Sequence, residues 1–415
     1  MINRYCYNSG KNRNTIMLFS SLYNPLVDII KNKKWQPKGL PAYCKLIEGL
    51  SKQNIPLVII YHCRKALAGF SWIKNVRVED INATVYVLPW VNVFLFPKRL
   101  ESVLNRMFHF SCILFFALKH NPGLIYTDKS HTRQAAFFTL LGKKVFLRIY
   151  GITKELLAFM ESNRNKTIKN ITYYSFFARY TYVLGTLDGS DIDIFFSTYI
   201  NPNVPKQVLL NGIDKKQSTT GKYIDIRKRF NIKVNEKIIV FLSQFSHQKG
   251  GQEYINVIAE LSKLTNNFTA LMVGYGPLEE HYRNLISKTS LDREIRIING
   301  IKHAEVNDLL SQADIFLSFN MEGNICNTVL EAFGAGVPVL TFKDRHTQQF
   351  FGDVVFYVNK NDTFEMIGNV VHKIISDEMN LMRHKKLTKT FVDKKISSWD
   401  QRIADEIGII NGILQ

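Results

Sequence analysis

One strand–loop–helix–strand pattern, in the last third of the chain, constrains the fold most strongly. A short apolar run, Ile315 to Ser318, leads into the segment EGNICNTVLEAFGAGVPVLTF. That segment opens with an acid and a glycine and continues as an amphipathic helix from about Asn327. The helix ends at Gly334 to Gly336, before a second apolar run, Val337 to Thr341. Two strands joined through a helix form a βαβ unit, so the pattern predicts an α/β protein with parallel strands.

The turn between the first strand and the helix suits an anionic ligand. Parallel sheets bind ligands at the carboxyl ends of their strands, where free N–H groups at a helix start face phosphates. Here those amides belong to Asn327 and Thr328, with Glu322 before the helix and Glu331 one turn into it. The amides could bind a diphosphate and the two acids could bind sugar hydroxyls, so the pattern predicts a nucleotide-sugar site. Alternatively, Thr328-x-x-Glu331 is a capping box in which Glu331 only stabilises the helix start.

The same stretch resembles the donor-site signature of retaining family-4 glycosyltransferases of the GT-B fold, in which two glutamates flank a loop. The match is good from Asn327 onward, but Glu322 and Glu331 are one residue further apart than is usual in the family. The extra residue falls within 323–326. The resemblance implies two Rossmann-like parallel-sheet domains that face a cleft, with a C-terminal helix that crosses back to the first domain.

A second loop carries a candidate cation for the diphosphate. After a strand at Ile238 to Ser243, the segment QFSHQKGGQEYI places Lys249 before two glycines that open a helix. A lysine on such a loop is a good phosphate partner, although a solvated surface lysine fits the same pattern. Relatives in the family usually have an arginine where this chain has Gln244. The resemblance therefore implies that Lys249 carries more of the charge.

A third loop, GYGP, follows a strand at Ala270 to Val273, and two glycines there also fit a simple packing turn. The resemblance implies one donor site built from all three loops, with Lys249 and Glu322 as the catalytic pair and no metal ion or other cofactor. Asp191-Ile-Asp193 matches a short metal-binding motif, which we interpret as a surface coincidence. The implied donor-binding residues are Gln244, Lys249, Gly250, Gly274, Gly276, Glu322, Gly323, Asn327, Thr328 and Glu331.

Charge and a linker motif predict the domain division. Residues 1–215 hold 29 Lys/Arg against 12 Asp/Glu, whereas residues 216–415 hold 25 against 23. LLNGIDKKQ at 209–217 resembles the family's interdomain linker through Asn211, Gly212 and Asp214. We therefore expect a basic acceptor-binding domain at 1–215, a donor-binding domain at 216–397 and a terminal helix at 398–415. A basic first half suits nucleic acid, an anionic membrane surface or a phosphorylated acceptor.

The first half carries weaker signals for the acceptor. A strand at Thr15 to Ser20, a polar loop with WQPKGL and a helix at Pro41 to Lys52 resemble the family's acceptor entry, here with Lys38 and Gly39. Tyr150 and Gly151 stand where many relatives have His-Gly. His62 and His131 also lie near strand ends, and we interpret them as ordinary core or surface histidines.

Two features bear on the location of the chain. The segment from Pro97 to His120 is too short and interrupted to span a bilayer and predicts either a core helix or a helix lying on a membrane. Five scattered cysteines without a CxxC pair fit a reducing cytosol, and the N-terminal residues do not resemble a signal peptide. We expect a cytoplasmic protein, peripheral on the inner face of a bacterial inner membrane.

The resemblance implies a retaining hexosyltransferase that moves a sugar from a nucleoside-diphosphate sugar to a saccharide acceptor. We expect that acceptor to be lipid-linked and to serve surface polysaccharides such as O-antigen, lipopolysaccharide or capsule, with no nucleic-acid partner. Two alternatives remain open. A GT-B epimerase or phosphorylase would share the site, and Gln244 with the lengthened loop would also fit a catalytically degenerate, membrane-associated scaffold.

Overall fold

The chain forms two compact units. A computed structural model describes residues 14–37, 39–64, 73–92, 97–214 and 224–415. The first unit contains the residues up to Thr186, Ile192–Leu209 and Ile403–Gln415. The second contains Leu187–Asp191 and Leu210–Arg402. The contacts thus divide the chain at Leu209–Leu210, and they assign one short segment of the N-terminal half to the second unit.

The first unit is built on an eight-stranded sheet of order β3-β4-β2-β1-β5-β6-β7-β8. The pairs from β4 to β7 are parallel, and β3 is antiparallel to β4. The sequence did not predict β3 and β4. The strands are β1 Ile16–Ser21, β2 Leu57–His62, β3 Lys74–Val76, β4 Ala83–Leu88, β5 Leu124–Asp128, β6 Val145–Ile149, β7 Tyr182–Leu187 and β8 Lys206–Leu210.

Helices pack on this sheet through side chains such as Ile113, Phe138 and Phe195, which belong to one buried core. The first helix stands where the sequence predicted a polar loop, because Leu26, Ile29 and Ile30 recur at helical spacing and are buried. The helices are α1 Asn24–Asn32, α2 Pro41–Lys52, α3 Lys98–His120, α4 Thr132–Leu140, α5 Lys154–Arg164, α6 Ile171–Ser175 and α7 Ile192–Tyr199.

The second unit has a six-stranded sheet of order β11-β10-β9-β12-β13-β14, and all five neighbouring pairs are parallel. Its strands are β9 Lys237–Leu242, β10 Phe268–Gly274, β11 Ile295–Asn299, β12 Ile315–Ser318, β13 Val339–Phe342 and β14 Phe356–Val358. Its helices are α8 Ile226–Arg229, α9 Gly251–Ser262, α10 Glu279–Lys288, α11 His303–Ser311, α12 Asn327–Gly334, α13 Arg345–Phe351, α14 Phe364–Ser376 and α15 Glu378–Lys395. The last helix, α16 Trp399–Leu414, begins in the second unit and continues in the first from Ile403.

Each sheet has a switch point at which its first strand has later strands added on both sides. In the first sheet, β1 has β2 on one side and β5 on the other. In the second sheet, β9 has β10 on one side and β12 on the other. Ligands of open α/β sheets bind outside the carboxyl ends of the strands at such switch points. The fold therefore singles out the loops after β1 and β5, and those after β9 and β12.

Helix α3 buries polar side chains in its first half and the apolar Ile113, Phe116 and Ala117 in its second half. Its buried side includes Glu101, Asn105 and His109, whereas an apolar row lies exposed along the opposite side. The exposed row consists of Leu100, Val103, Leu104, Met107, Phe115 and Leu118. The second half therefore packs in the core as one sequence-based alternative predicted, whereas the buried polar residues of the first half were not predicted. Within the part of the chain that the structure describes, no helix is long and apolar enough to cross a membrane.

Candidate functional site

Three loops at the carboxyl edge of the second sheet are hydrogen-bonded to one another. The loop after β9 meets the loop after β10 where the Phe245 amide donates to the Tyr275 carbonyl at 2.9 Å. The Leu278 amide donates back to the Phe245 carbonyl at 3.2 Å. The same β9 loop meets the loop after β12 where the Met321 amide donates to the Gln248 carbonyl at 2.9 Å. The three segments singled out in the sequence are thus brought together.

Glycines allow these loops to approach so closely. A Cβ atom at Gly250, whose φ is +76°, would lie 2.2 Å from the Phe319 carbonyl oxygen. A Cβ atom at Gly274 would lie 1.9 Å from the Ser243 carbonyl oxygen. Contacts between loops therefore explain the glycines without any ligand. Their predicted contact with a donor stays a prediction.

Lys249 ends a short 3₁₀ turn, His247–Lys249, between β9 and α9. It is half-buried and forms no ion pair with a described residue. Gln244 is exposed, and its carbonyl accepts a hydrogen bond from the Ser246 amide at 3.0 Å. The Lys249 ammonium therefore lies in the loop beside the switch point without a counter-charge from any residue that the structure describes.

The lengthened loop before α12 is held by defined contacts. The Asn320 side chain accepts from the Glu322 amide at 3.2 Å and donates to the Gly323 carbonyl at 2.7 Å. The Ile325 amide donates to the Asp188 carbonyl at 3.2 Å, within the same unit. A Cβ atom at Gly323 would lie 2.5 Å from that carbonyl oxygen. The extra residue is thus accommodated by Asn320 and by the short segment Leu187–Asp191.

The capping-box interpretation of Glu331 is wrong. Helix α12 begins at Asn327, and its N-cap is Cys326, which has no side-chain capping bond. Thr328 is therefore the second helical residue rather than the cap, and Glu331 is too far along the helix to complete a capping box. Glu331 is half-buried beside a hollow between α11 and α12. The hollow is lined by Ile213, Asp214, Val306, Asn307, Leu310, Glu331 and Gly334.

The linker motif is tied to the same helix. The side-chain nitrogen Nδ2 of Asn211 donates to the side-chain oxygen Oδ1 of Asn327 at 2.7 Å. Gly212 lies so close to the chain at Trp399 that a Cβ atom would be 2.6 Å from the Trp399 backbone nitrogen. Elsewhere in the second unit, Asp191 of the short Asp-x-Asp motif lies 2.8 Å from Nε2 of His346.

The predicted acceptor residues are more scattered. Lys38 lies outside the described residues. Gly39 directly precedes Leu40, the N-cap of α2, and Tyr150 and Gly151 follow β6. The Lys129 ammonium donates to the Gly151 carbonyl, and the Arg148 guanidinium lies 4.5 Å from the centre of the Tyr150 ring.

Three histidines that the sequence did not single out as functional converge at the switch point of the first sheet. His62 ends β2, His131 follows β5 and His109 lies on α3. The ring centres of His62 and His131 are 4.4 Å apart, and those of His62 and His109 are 5.2 Å apart. Each comes from a different part of the chain, so no local spacing could have revealed the cluster.

Comparison with known proteins matches residues 223–390 to the family described as glycosyl transferases group 1. A 2-deoxystreptamine N-acetyl-D-glucosaminyltransferase of Niallia circulans is 24% identical over 35% of this chain and 38% of that protein. HepE of Anabaena, solved with UDP and glucose, has a TM-score of 0.68 at 13% sequence identity. The structural alignment covers 96% of this chain and 99% of the HepE chain.

WaaG, a glycosyltransferase involved in lipopolysaccharide biosynthesis, has a TM-score of 0.65 at 16% sequence identity. The structural alignment covers 95% of this chain and the whole WaaG chain. These structural likenesses concern the fold. In sequence, the alignment spans less than half of the Niallia circulans relative.

Proposed function

We propose that this protein is a retaining glycosyltransferase. The premises are that residues 223–390 match the group 1 glycosyl transferase family and that the chain has the GT-B fold. It takes a sugar from a nucleoside-diphosphate sugar and transfers it to a saccharide acceptor. One observation carries the proposal. The Lys249 loop and the Glu322 loop follow β9 and β12, the two strands that flank the switch point of the second sheet.

The proposed roles follow from the charge that develops during the reaction. Cleavage of the bond between sugar and phosphate leaves negative charge on the nucleoside diphosphate, and catalysis requires groups that stabilise it. Lys249 and the first amides of α12, those of Asn327 and Thr328, supply positive charge and donors beside the switch point. Glu331 binds the ribose hydroxyls from the hollow beside α11, and Glu322 binds the sugar ring. In this scheme the reaction needs no metal ion.

Two proteins of the same fold support the substrate classes. HepE is solved with UDP and glucose, and WaaG acts in lipopolysaccharide biosynthesis. We therefore propose a nucleotide-sugar donor, a lipid-linked saccharide acceptor and a role in a bacterial surface polysaccharide. The charge of the first half supports an acceptor at an anionic surface, because 29 basic residues face only 12 acidic ones within residues 1–215.

Lys249→Ala should weaken binding of the nucleoside diphosphate about 10- to 100-fold, because a charge-assisted hydrogen bond is worth about 1.5–3 kcal/mol. The measurement is a thermal-shift titration with UDP, GDP and ADP, each with and without magnesium. We expect one diphosphate to stabilise the wild type independently of magnesium and to lose that effect in the variant.

The matched control is Lys288→Ala, which removes an exposed lysine from the end of α10 and should leave the titration unchanged. Equal affinity in wild type and Lys249→Ala would contradict the role of this lysine. A wild type that no nucleoside diphosphate stabilises would contradict the donor site itself and favour the scaffold alternative.

The exposed side of α3 supports a membrane surface as a further partner. Met107 and Leu118 are 62% and 70% exposed, and they lie on the apolar row of that helix. The exposed basic residues Lys98, Arg99, Arg106 and Lys119 accompany the row. An apolar row with basic neighbours is typical of a helix that lies in the interface of an anionic bilayer.

Met107→Asp should weaken binding to vesicles that contain phosphatidylglycerol by about tenfold, since burying a methionine contributes roughly 1.5 kcal/mol or more. Cosedimentation with vesicles measures the effect. Met382→Asp is a matched control, because Met382 is 61% exposed on α15 of the second unit. Equal losses in the two variants would exclude α3 as the contact surface.

A further inference from the structure

The switch point of the first sheet holds a cluster of polar groups that the proposed donor chemistry does not use. Ser21 ends β1, His62 ends β2 and His131 follows β5, so all three lie at the carboxyl edge of the sheet. In the strand register Ser21 is paired with His62, and the Ser21 hydroxyl lies 3.1 Å from Nε2 of His62. This edge occupies the same topological position in its sheet as the donor loops occupy in theirs.

Two ring nitrogens in this cluster have no hydrogen-bond partner among the described residues. Nδ1 of His62 and Nε2 of His131 are buried and make no hydrogen bond within the part of the chain that the structure describes. His131 is only 4% exposed. A buried polar atom without a partner costs about 1–3 kcal/mol, so an imidazole pair with two such atoms points to a group that binds beside the rings.

The electrostatics favour a neutral ligand. Burial lowers the pKa of His62 well below its usual range, and the neighbouring His131, His109 and Arg64 lower it further. Burial also lowers the pKa of His131, against the opposing effect of Asp128. Neutral imidazoles offer one donor and one acceptor nitrogen each. A hydroxyl group, which both donates and accepts, matches that pair better than an anion does.

The buried polar side chains in the first half of α3 position the ring of His109. The Glu101 carboxylate accepts from the Trp90 indole at 2.7 Å, and the Asn105 side chain bonds both backbone groups of Val91. Nε2 of His109 lies 2.8 Å from the Pro89 carbonyl oxygen, so that nitrogen carries the proton. The buried polar side of α3 thus fixes the chain after β4 and holds the His109 ring beside His62.

We propose that Ser21, His62 and His131 form a binding site for a hydroxyl group of a saccharide acceptor. The proposal rests on the proposed glycosyltransferase function, and it locates the acceptor site in residues other than Gly39 and Tyr150. A metal site is a poor alternative, because the described residues include no group of three His, Cys, Asp or Glu side chains arranged to hold a metal ion.

The test uses the full chain labelled with ¹³C-histidine, in the presence of UDP. The probes are the octyl glycosides of glucose, galactose and N-acetylglucosamine. We expect at least one glycoside to shift the ring signals of His62 and His131 while leaving His281, an exposed histidine on α10, unchanged. His131→Asn should weaken binding of that glycoside at least tenfold and leave UDP binding unchanged.

Ser21→Ala is the second variant, because it removes one hydroxyl group and keeps both rings if His131→Asn does not fold. A role confined to stability would lower the melting temperature of either variant and leave glycoside affinity unchanged, which would overturn the proposal. Absence of ring shifts with all three glycosides, in a protein that UDP stabilises, would also overturn it and leave the proposed function intact. Ring shifts without any stabilisation by nucleoside diphosphates would instead contradict the proposed function.

Discussion

Replacing Glu406 with alanine should lower the free energy of unfolding of the first unit by about 3–5 kcal/mol, the cost of breaking a buried ion pair. Glu406 Oε1 lies 3.5 Å from Arg148 Nε, and the two side chains are 1% and 0% exposed. The Tyr126 hydroxyl donates to the same oxygen at 2.6 Å. The substitution would leave a buried guanidinium without its carboxylate and a buried phenol without its acceptor.

The remaining contacts of Arg148 do not replace the carboxylate. Its guanidinium donates to the carbonyls of Ile149 and Leu184 and to the Thr186 hydroxyl, which are all uncharged. These bonds fix the orientation of the side chain, but they cannot neutralise its charge. We therefore expect Glu406→Gln, which keeps an acceptor for Tyr126, to destabilise the unit less than Glu406→Ala.

Hydrogen exchange of backbone amides in β5, β6 and α16, followed by mass spectrometry, would measure the stability of the first unit separately from that of the second. Glu280→Ala on α10 is the control, since it removes an exposed acid and should cost under about 0.5 kcal/mol. Exchange rates in β5 and β6 that change no more in Glu406→Ala than in the control would show that the buried pair contributes little.

Local patterns in the sequence predicted much of the second unit. Apolar runs followed by glycine loops predicted β9, β10 and β12, and the helical patterns between them predicted that these strands are parallel. The same reasoning missed β3 and β4. Strand β4, ATVYVL, alternates only weakly, and β3 has three residues of which two are exposed.

Contacts between distant residues were beyond any local pattern. Arg148 and Glu406 are far apart in sequence, and a charged residue within the apolar strand β6 gives no sign of its partner. The histidine cluster is the same kind of case. His62 and His131 looked like separate residues at strand ends, and only the strand order β2-β1-β5 shows that these ends are neighbours.

Helix termini were predicted less well than helix positions. The sequence placed α12 correctly from Asn327 to Gly334, yet one of the two interpretations of Glu331 required Thr328 as the cap. Ser, Thr, Asp and Asn are the preferred caps, so a cysteine such as Cys326 gives no capping signal in the sequence. The true N-cap matters for function, because Glu331 lines the hollow beside α11 and takes no part in a capping box.

Gly274→Ala should destabilise the second unit by roughly 3 kcal/mol and also weaken nucleoside-diphosphate binding, because the methyl group displaces the loop that carries Lys249. Its Cβ atom would lie 1.9 Å from the Ser243 carbonyl oxygen and 2.8 Å from the Phe245 ring. Neither atom belongs to a flexible chain end, so backbone must move, which costs energy through both strain and overpacking.

Gly300→Ala is the control, because it introduces backbone strain in the same unit without a steric clash of the new Cβ atom. Gly300 follows β11 and has a φ of +72°, but no atom lies within 4 Å of the position of its Cβ. We expect it to cost about 1 kcal/mol and to leave nucleotide affinity unchanged. Thermal unfolding and diphosphate titration of both variants distinguish two explanations of why the chain has a glycine at position 274. Loss of stability and affinity together would confirm that this glycine holds the loops in place, whereas loss of affinity at full stability would mean that the donor itself contacts it.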